Sequence, residues 1–525
     1  MGGDAQNPRG SNEYTESSPL LTDERPRRPP HRPTLSLTSI TSVHVPKVHN
    51  GRTIVNLLCI IALIASSATG FIGIPVTRVL EDVVCRQYYA DRGGAGGPID
   101  EQQCKQNAIQ EKVAFIMALS SSLDAAVGFV AAFPWGLVAD RIGRKPVVSI
   151  ALLGILLNLF WCIVVLHFNN IFPVELIWLG AAGLLLGGGN ALLVGIILSM
   201  ITDSTTEEER AVAFMRLHVA SLCGNLLSPA LSSIMMERMG PWPSIWAAIS
   251  AIVISGITFL FVPETMKHHP SQVETHGPEA DSEATGRESR VSHVIARFKE
   301  SLSMVKSPSL ILLLLSCFGS APTFAATLQF MAQFISMRYG IKLAQTGYVQ
   351  STYGIAQVIH AFIILPWLSR RIMKSATPVR FRAPDEHHRD LSLARWSFGF
   401  LVVGILVLGL APALAVFVLG LLLMALGSGF GSLSKSLMSL YVDPEHRSRL
   451  FSIVGMVEVV GSVYAQPMLA GLFALGMELG SGWIGLPYYV LTVLVAATGS
   501  LLFFVKVPKD ARGLSTEHDN EFHED

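Results

Sequence analysis

A handful of ionisable side chains interrupt long apolar runs in this chain. Asp124 stands in SSSLDAAVG, Lys435 in GSLSKSLMSL, Glu458 in VGMVEVVGS, and Arg216 with His218 in FMRLHVAS. Charge in such surroundings is costly to hold, which marks each of these residues as a functional candidate. A lone carboxylate can bind and release a proton; two opposite charges can neutralise each other. Asp124 suits the first role, or else it is an acid held by hydrogen bonds from Ser120 or Ser121. Lys435 and Glu458 suit the second. Counted along neighbouring antiparallel helices from Asp443 and Arg449, they reach the same depth, which predicts an ion pair. The pair acts either as a structural clasp or as a switch that a proton or a solute opens. His218 shares a helical face with Ser221, Asn225 and Ser228, so it either lines a cavity or is a satisfied buried histidine. Arg216 is shallower and is expected to snorkel to the interface.

Uncharged polar residues form the second set. Gln350, Tyr353, Gln357 and His360 recur at helical spacing, and Gln329, Gln333, Asn158 and Asn190 stand in other apolar runs. Lipid does not tolerate such a face, so these side chains point to a cavity or to neighbouring helices. A polar and aromatic lining without a dense charge cluster suits a small, amphipathic organic solute better than an inorganic ion or a polyanion. No His/Cys cluster has metal-ligand spacing, and neither a phosphate loop nor a nucleophile elbow stands out. Neither a metal site nor an enzyme is expected.

The elements that must position these residues follow from composition. Half of the 525 residues are hydrophobic and 15% are charged, against ~25% charged in ordinary soluble domains. A bilayer core takes roughly 20 apolar residues of helix, and suitable runs fall at 53–77, 111–135, 146–168, 174–201, 212–236, 243–263, 308–336, 344–368, 392–411, 413–440, 450–476 and 484–506. The expected fold is therefore an all-α membrane protein of twelve transmembrane helices in two six-helix bundles. Its organisation reads as a disordered N-tail (1–52), an N-terminal bundle (53–265), a polar linker (266–307), a C-terminal bundle (308–506) and a C-tail (507–525). The last part of the linker, 291–305, has the pattern of a short surface helix. Of the Lys and Arg residues, only Arg78, Arg86, Arg92, Lys105, Lys112, Arg238, Arg338 and Lys342 fall on one side, so the tails and the linker are expected to be cytosolic. That puts Cys85 and Cys104 outside, either bridged across their loop or free as two thiols. The formal net charge is zero and no basic arm appears, which argues against nucleic acid.

Between the second and third runs lies PWGLVADRIGRKPVV, with Gly136, Asp140, Arg141, Gly143, Arg144 and Lys145 in order. This resembles the loop signature G-x-L-a-D-R-x-G-R-K of the major facilitator superfamily. The resemblance implies a gating role: an Asp140 near the start of the third span bridges bases and holds the halves together when the cavity faces outward. Gly136 and Gly143 would allow close helix approach and a tight turn. Repetition agrees. Pro134-Trp135 is matched by Pro366-Trp367, Gly187-x-Gly189 before Asp203 by Gly427-x-Gly429 before Asp443, and VPET at 262–265 also looks like the family. Gly224, Ser228, Pro229, Ser232 and Ser233 are similar to the family's antiporter motif, with serines at three glycine positions. An arginine that proton-coupled members often carry is Leu184 here.

The resemblance is to fungal members near the drug/proton antiporters, with features of the folate/haem-carrier branch. It implies a monomeric secondary transporter with no cofactor but a proton gradient, exporting a drug or secondary metabolite by alternating access. Proton-coupled uptake of a small nutrient is the alternative within transport, and a non-transporting nutrient sensor the alternative outside it. The plasma membrane is the expected location; Glu16, Leu20 and Leu21 fit a dileucine signal that would instead direct the chain to a vacuole or endosome.

Overall fold

In hydrocarbon a peptide N–H or C=O without a partner costs several kcal/mol, so apolar runs of this length wind into helices. The computed structural model describes residues 51–92, 99–265, 307–373, 386–442, 447–480 and 482–506. Most of the N-tail with Glu16, Leu20 and Leu21, the linker with its expected helix at 291–305, Asp443 and the C-tail lie outside the described residues. Regular structure among the described residues is helical throughout. In chain order come α1 (Gly51–Ala90), a short 3-10 helix (Glu101–Lys105), α2 (Asn107–Ile142), α3 (Arg144–His167), a second 3-10 helix (Val174–Leu185), α4 (Gly189–Ser204), α5 (Glu207–Met239) and α6 (Pro241–Leu260). After the linker follow α7 (Pro308–Tyr339), α8 (Leu343–Ile359), a π turn (His360–Ile364) leading into α9 (Leu365–Met373), α10 (Glu386–Leu410), α11 (Leu414–Leu426), α12 (Phe430–Met438), α13 (Arg447–Leu479) and α14 (Leu486–Ser500). Among the described residues, ten helical stretches are long and apolar enough to cross a membrane. The two other expected positions hold α7 and the pair formed by Val174–Leu185 and α4.

Several boundaries differ from expectation. The run 53–77 continues as a helix to Ala90, because Arg78 and Glu81 pair with each other and do not end it. The run 111–135 extends to Ile142, so Gly136 to Ile142 are the last turns of α2 and not part of a loop. The run 174–201 is broken in its middle, where Gly187, Gly188 and Gly189 all take positive φ (+86°, +73° and +68°). A Cβ at Gly187 would overlap the backbone of Ala151, so α3 passes close against the break.

Packing is mostly local to each half of the chain, though a small cluster of Ile74, Met236, Ala332, Leu343 and Ala344 crosses between them. Ile54, Leu58, Val147, Met200 and Phe259 meet at the end that carries the signature. Leu80, Cys85, Cys104, Ile116, Leu166 and Ile245 meet at the opposite end, where Cys85 and Cys104 are bridged. A third cluster is built almost wholly from α7–α14, with Phe334 stacked on Phe417 and edge-on to Tyr488 at 4.7 Å between centroids; of α2 only Ala114 and Ala118 join it. The halves meet along α2 against α13 and α5 against α8.

The break in the fourth run gives a direct test. Gly187→Ala imposes a left-handed conformation on a residue with a Cβ and drives that Cβ into Ala151, which should cost about 1–3 kcal/mol from the backbone alone. Thermal unfolding of the purified protein should show a lower midpoint, and an unchanged midpoint would mean that the break is not built as described.

Candidate functional site

The signature residues end α2 and begin α3. Gly143 separates the two helices at φ +105°, and its N–H closes α2 on the Ala139 carbonyl at 3.2 Å. A Cβ there would stand 2.6 Å from a Glu264 oxygen, so this glycine is required. At Gly136 a Cβ would meet only a Leu192 methyl, at an ordinary 3.8 Å, and that glycine makes no unusually close approach. The first N–H groups of α3 need an anion. Glu264 of VPET supplies it, accepting from the backbone N–H of Arg144 at 3.1 Å and of Lys145 at 2.9 Å. Asp140 does not hold that position. It is exposed in the last turn of α2, the negative end of the helix dipole, and makes no ion pair among the described residues. Arg144 instead pairs with Asp203 at the end of α4, and Lys145 Nζ donates to the Leu260 carbonyl at 2.7 Å. Arg141 is exposed. The signature thus ties α2, α3, α4 and α6 of one half together. The side chains of Arg447 and Arg449 lie outside the described residues.

Among the intramembrane candidates, Lys435 on α12 and Glu458 on α13 form the expected ion pair, Nζ to Oε1 2.9 Å, with both side chains partly open. Asp124 on α2 is half-buried and accepts from Asn158 Nδ2 on α3 at 3.2 Å, not from Ser120 or Ser121. Asn158 also touches the Gly180 position of the broken run, so Asp124 and Asn158 are directed into the packing of their own half. His218 is exposed on α5, and Asn190 is exposed beside the glycine break. Asn225 accepts from the Thr69 hydroxyl at 2.8 Å, linking α5 to α1.

The polar stripe on α8 divides. Tyr353 is buried and its hydroxyl accepts from Gln357 Nε2 at 3.1 Å, while Gln350 is partly exposed. His360 is 3% exposed, and neither ring nitrogen has a hydrogen-bond partner among the described residues. It opens the π turn opposite Gly429 and Ser397, where the tenth run bends between α11 and α12. Tyr353 and His360 are therefore interior residues here, not a cavity wall. Gln329 and Gln333 on α7 line a narrow central cleft of about 20 Å³ with Thr77, Ser121, Phe330 and Gln466. Gln329 donates to Ser121 at 2.8 Å and accepts from Gln466 at 2.6 Å, so the carboxamides join the two halves.

A network that sequence reasoning missed lies at the disulfide end. Glu81 is 1% exposed and binds Arg78 at 2.9 Å and Lys105 at 2.6 Å. Gln110 donates to Glu81 and accepts from Gln333, which connects the network to the central cleft. The only signal in the sequence is Arg78 and Glu81 at i,i+3 in IPVTRVLEDVVC, one turn before Cys85. At the other end Glu264 stands in VPET, which the sequence marks only as a family-like motif. Glu264→Ala removes two helix-capping acceptor bonds and should lower stability by about 1 kcal/mol, the usual cost of losing a cap, with Glu264→Asp recovering part of it in thermal unfolding.

Residues 109–383 fit the family profile of the Major Facilitator Superfamily. The MFS efflux pump atnC of Emericella nidulans is 28% identical over 446 residues, spanning 83% of this chain and 84% of the relative. The efflux pump ustT of Aspergillus flavus is 27% identical over 434 residues, with 80% and 81% covered. Among solved structures, a D-xylose-proton symporter superimposes with a TM-score of 0.59 at 13% identity, covering 87% of this chain and 98% of that one. A bacterial homologue of the iron transporter ferroportin, in an inward-facing state, gives 0.56 at 13% identity, with 86% and 98% covered. These structural likenesses concern the fold. With the profile matching more than half of its length and the helical membrane fold shared with solved transporters, this chain belongs to the Major Facilitator Superfamily of integral membrane transporters.

Proposed function

We propose that the chain exports a small organic molecule, a drug or secondary metabolite, in exchange for protons. The observation that carries this reading is its similarity, across four-fifths of its length, to relatives described as efflux pumps. The cleft supports it: amides and hydroxyls from α1, α2, α7 and α13 beside Phe330 and Met117 suit a neutral, amphipathic solute. In this reading twelve spans form two six-helix bundles, 53–265 and 308–506, which rock about the cleft as a monomer. The tails and the 266–307 linker are cytosolic, the disulfide end faces outward, and the plasma membrane is the site of action. Among the described residues, hydrogen bonds between the halves lie at mid-depth and toward the disulfide end, as in Ser122 to the Val463 carbonyl and Ser351 to the Leu226 carbonyl, both 2.9 Å. This supports an outwardly closed, inward-facing conformation.

Reconstitution in vesicles tests the reading. A pH gradient, acid on the side of the disulfide loop, should drive solute toward that side, and collapse of the gradient should abolish accumulation; movement along with the protons would make the chain a symporter. A second test concerns Lys435 and Glu458. Replacing either by Gln leaves an uncompensated charge and should reduce flux at least about tenfold. The swap Lys435→Glu with Glu458→Lys should restore a substantial part if the pair is a clasp, and should fail to restore coupling if one of the two carries the proton.

A further inference from the structure

The buried charge network at the disulfide end does more than hold a loop. Glu81 accepts from Arg78 Nη1 at 2.9 Å, Lys105 Nζ at 2.6 Å and Gln110 Nε2 at 2.5 Å. Glu101 completes it, 3.5 Å from Arg78 Nε and 3.4 Å from Lys105 Nζ. Two cations and two carboxylates thus balance where little water reaches, the condition under which buried charge is tolerated. Arg78 and Glu81 belong to α1, whereas Glu101 and Lys105 form the short Glu101–Lys105 helix. The bridge from Cys104, beside Lys105, to Cys85, one turn beyond Glu81, fixes that helix on α1.

The opposite side of the same short helix grips the other half of the chain. Glu101 Oε1 accepts from the backbone N–H of Leu343, the first residue of α8, at 2.8 Å. Gln102 Nε2 donates to the Gly340 carbonyl at 2.8 Å. Gln110 accepts from Gln333 Nε2 through its carbonyl at 2.8 Å and its side chain at 3.1 Å. A loop serving only the stability of its own half would have no need of these bonds. Outward opening must separate the Gly340–Leu343 corner from α1 and α2, which breaks the bonds across the halves; the bonds of Glu81 stay within one half and survive.

We propose that the Glu101–Lys105 helix is the outer latch of the transport cycle, with Glu81 and the Cys85–Cys104 bridge as its positioning elements. Glu101 and Gln102 are the parts that engage and release the α7–α8 corner. Closure of the outer side then depends on an oxidised bridge. This inference rests on the alternating-access reading and on the disulfide end facing outward.

The test uses the full-length protein with Ala470, which lines the central cleft, replaced by Cys. A membrane-impermeant thiol reagent is applied to intact cells, and labelling of the same variant without the added cysteine is subtracted. Glu101→Ala with Gln102→Ala should label about tenfold faster than the parent, as expected from losing two hydrogen bonds of ordinary strength. Cys85→Ser with Cys104→Ser should shift in the same direction, and Glu101→Gln, which keeps an acceptor for Leu343, should recover much of the parent rate. Gln102 is exposed, so Gln102→Ala alone offers a well-folded variant with a smaller shift. Unchanged labelling in all of these variants would overturn the latch. The assay needs no solute, so a parent that labels as expected but carries nothing would count against the transport reading, not against the latch.

Discussion

A polar side chain taken out of water needs a partner, and a charged one needs an opposite charge as well. Almost everything specific in this fold follows from how that constraint is met. Lys435 is answered by Glu458, Asp124 by Asn158 and Gln329 by Ser121 and Gln466. Glu81 is answered by Arg78, Lys105 and Gln110. Each answer comes from a different helix or, for Arg78, an adjacent turn. The partners therefore fix which helices lie together, a choice that apolar surfaces facing one another in lipid leave open.

The joints between helices obey the same constraint through the backbone. Where α3 begins, its unpaired N–H groups are met by Glu264 from the end of α6, and Arg144 reaches Asp203 at the end of α4. Four helix ends of one half are thereby locked together. The hydrogen bonds between halves are of another kind, mostly from neutral amides and hydroxyls, each contributing about 0.5–1.5 kcal/mol. Strong joints within a half and weak ones between halves are what rigid-body rocking requires.

Much of this was legible before any coordinates. Apolar run length located the helices, and the equal depths of Lys435 and Glu458 identified their pair, since both follow from a constant rise per residue. The bridge between Cys85 and Cys104 was one of two readings left open by the loop. What the sequence concealed has physical causes. The break at Gly187–Gly189 depends on the close passage of α3, a tertiary fact. The burial of Tyr353 and His360 depends on which way α8 is rotated, and a polar stripe alone does not say whether it faces a cavity or a neighbour. Asp140 was placed at a helix start by analogy, yet it lies in the last turn of α2, and Glu264, distant in sequence, takes the capping position. The first run reads as ending at residue 77, short of Arg78 and Glu81, because two of the partners that let Glu81 be buried, Lys105 and Gln110, come from a segment beyond Cys85.

The bridge also matters before the protein ever works. In the proposed orientation its two sulfurs join in an oxidising lumen, so a chain threaded into the membrane in the reverse sense would keep both thiols and leave Glu101–Lys105 unpinned. Correct and inverted copies of a nearly symmetric apolar chain would then differ chemically during biosynthesis, giving cellular quality control something to recognise that hydrophobicity alone does not provide.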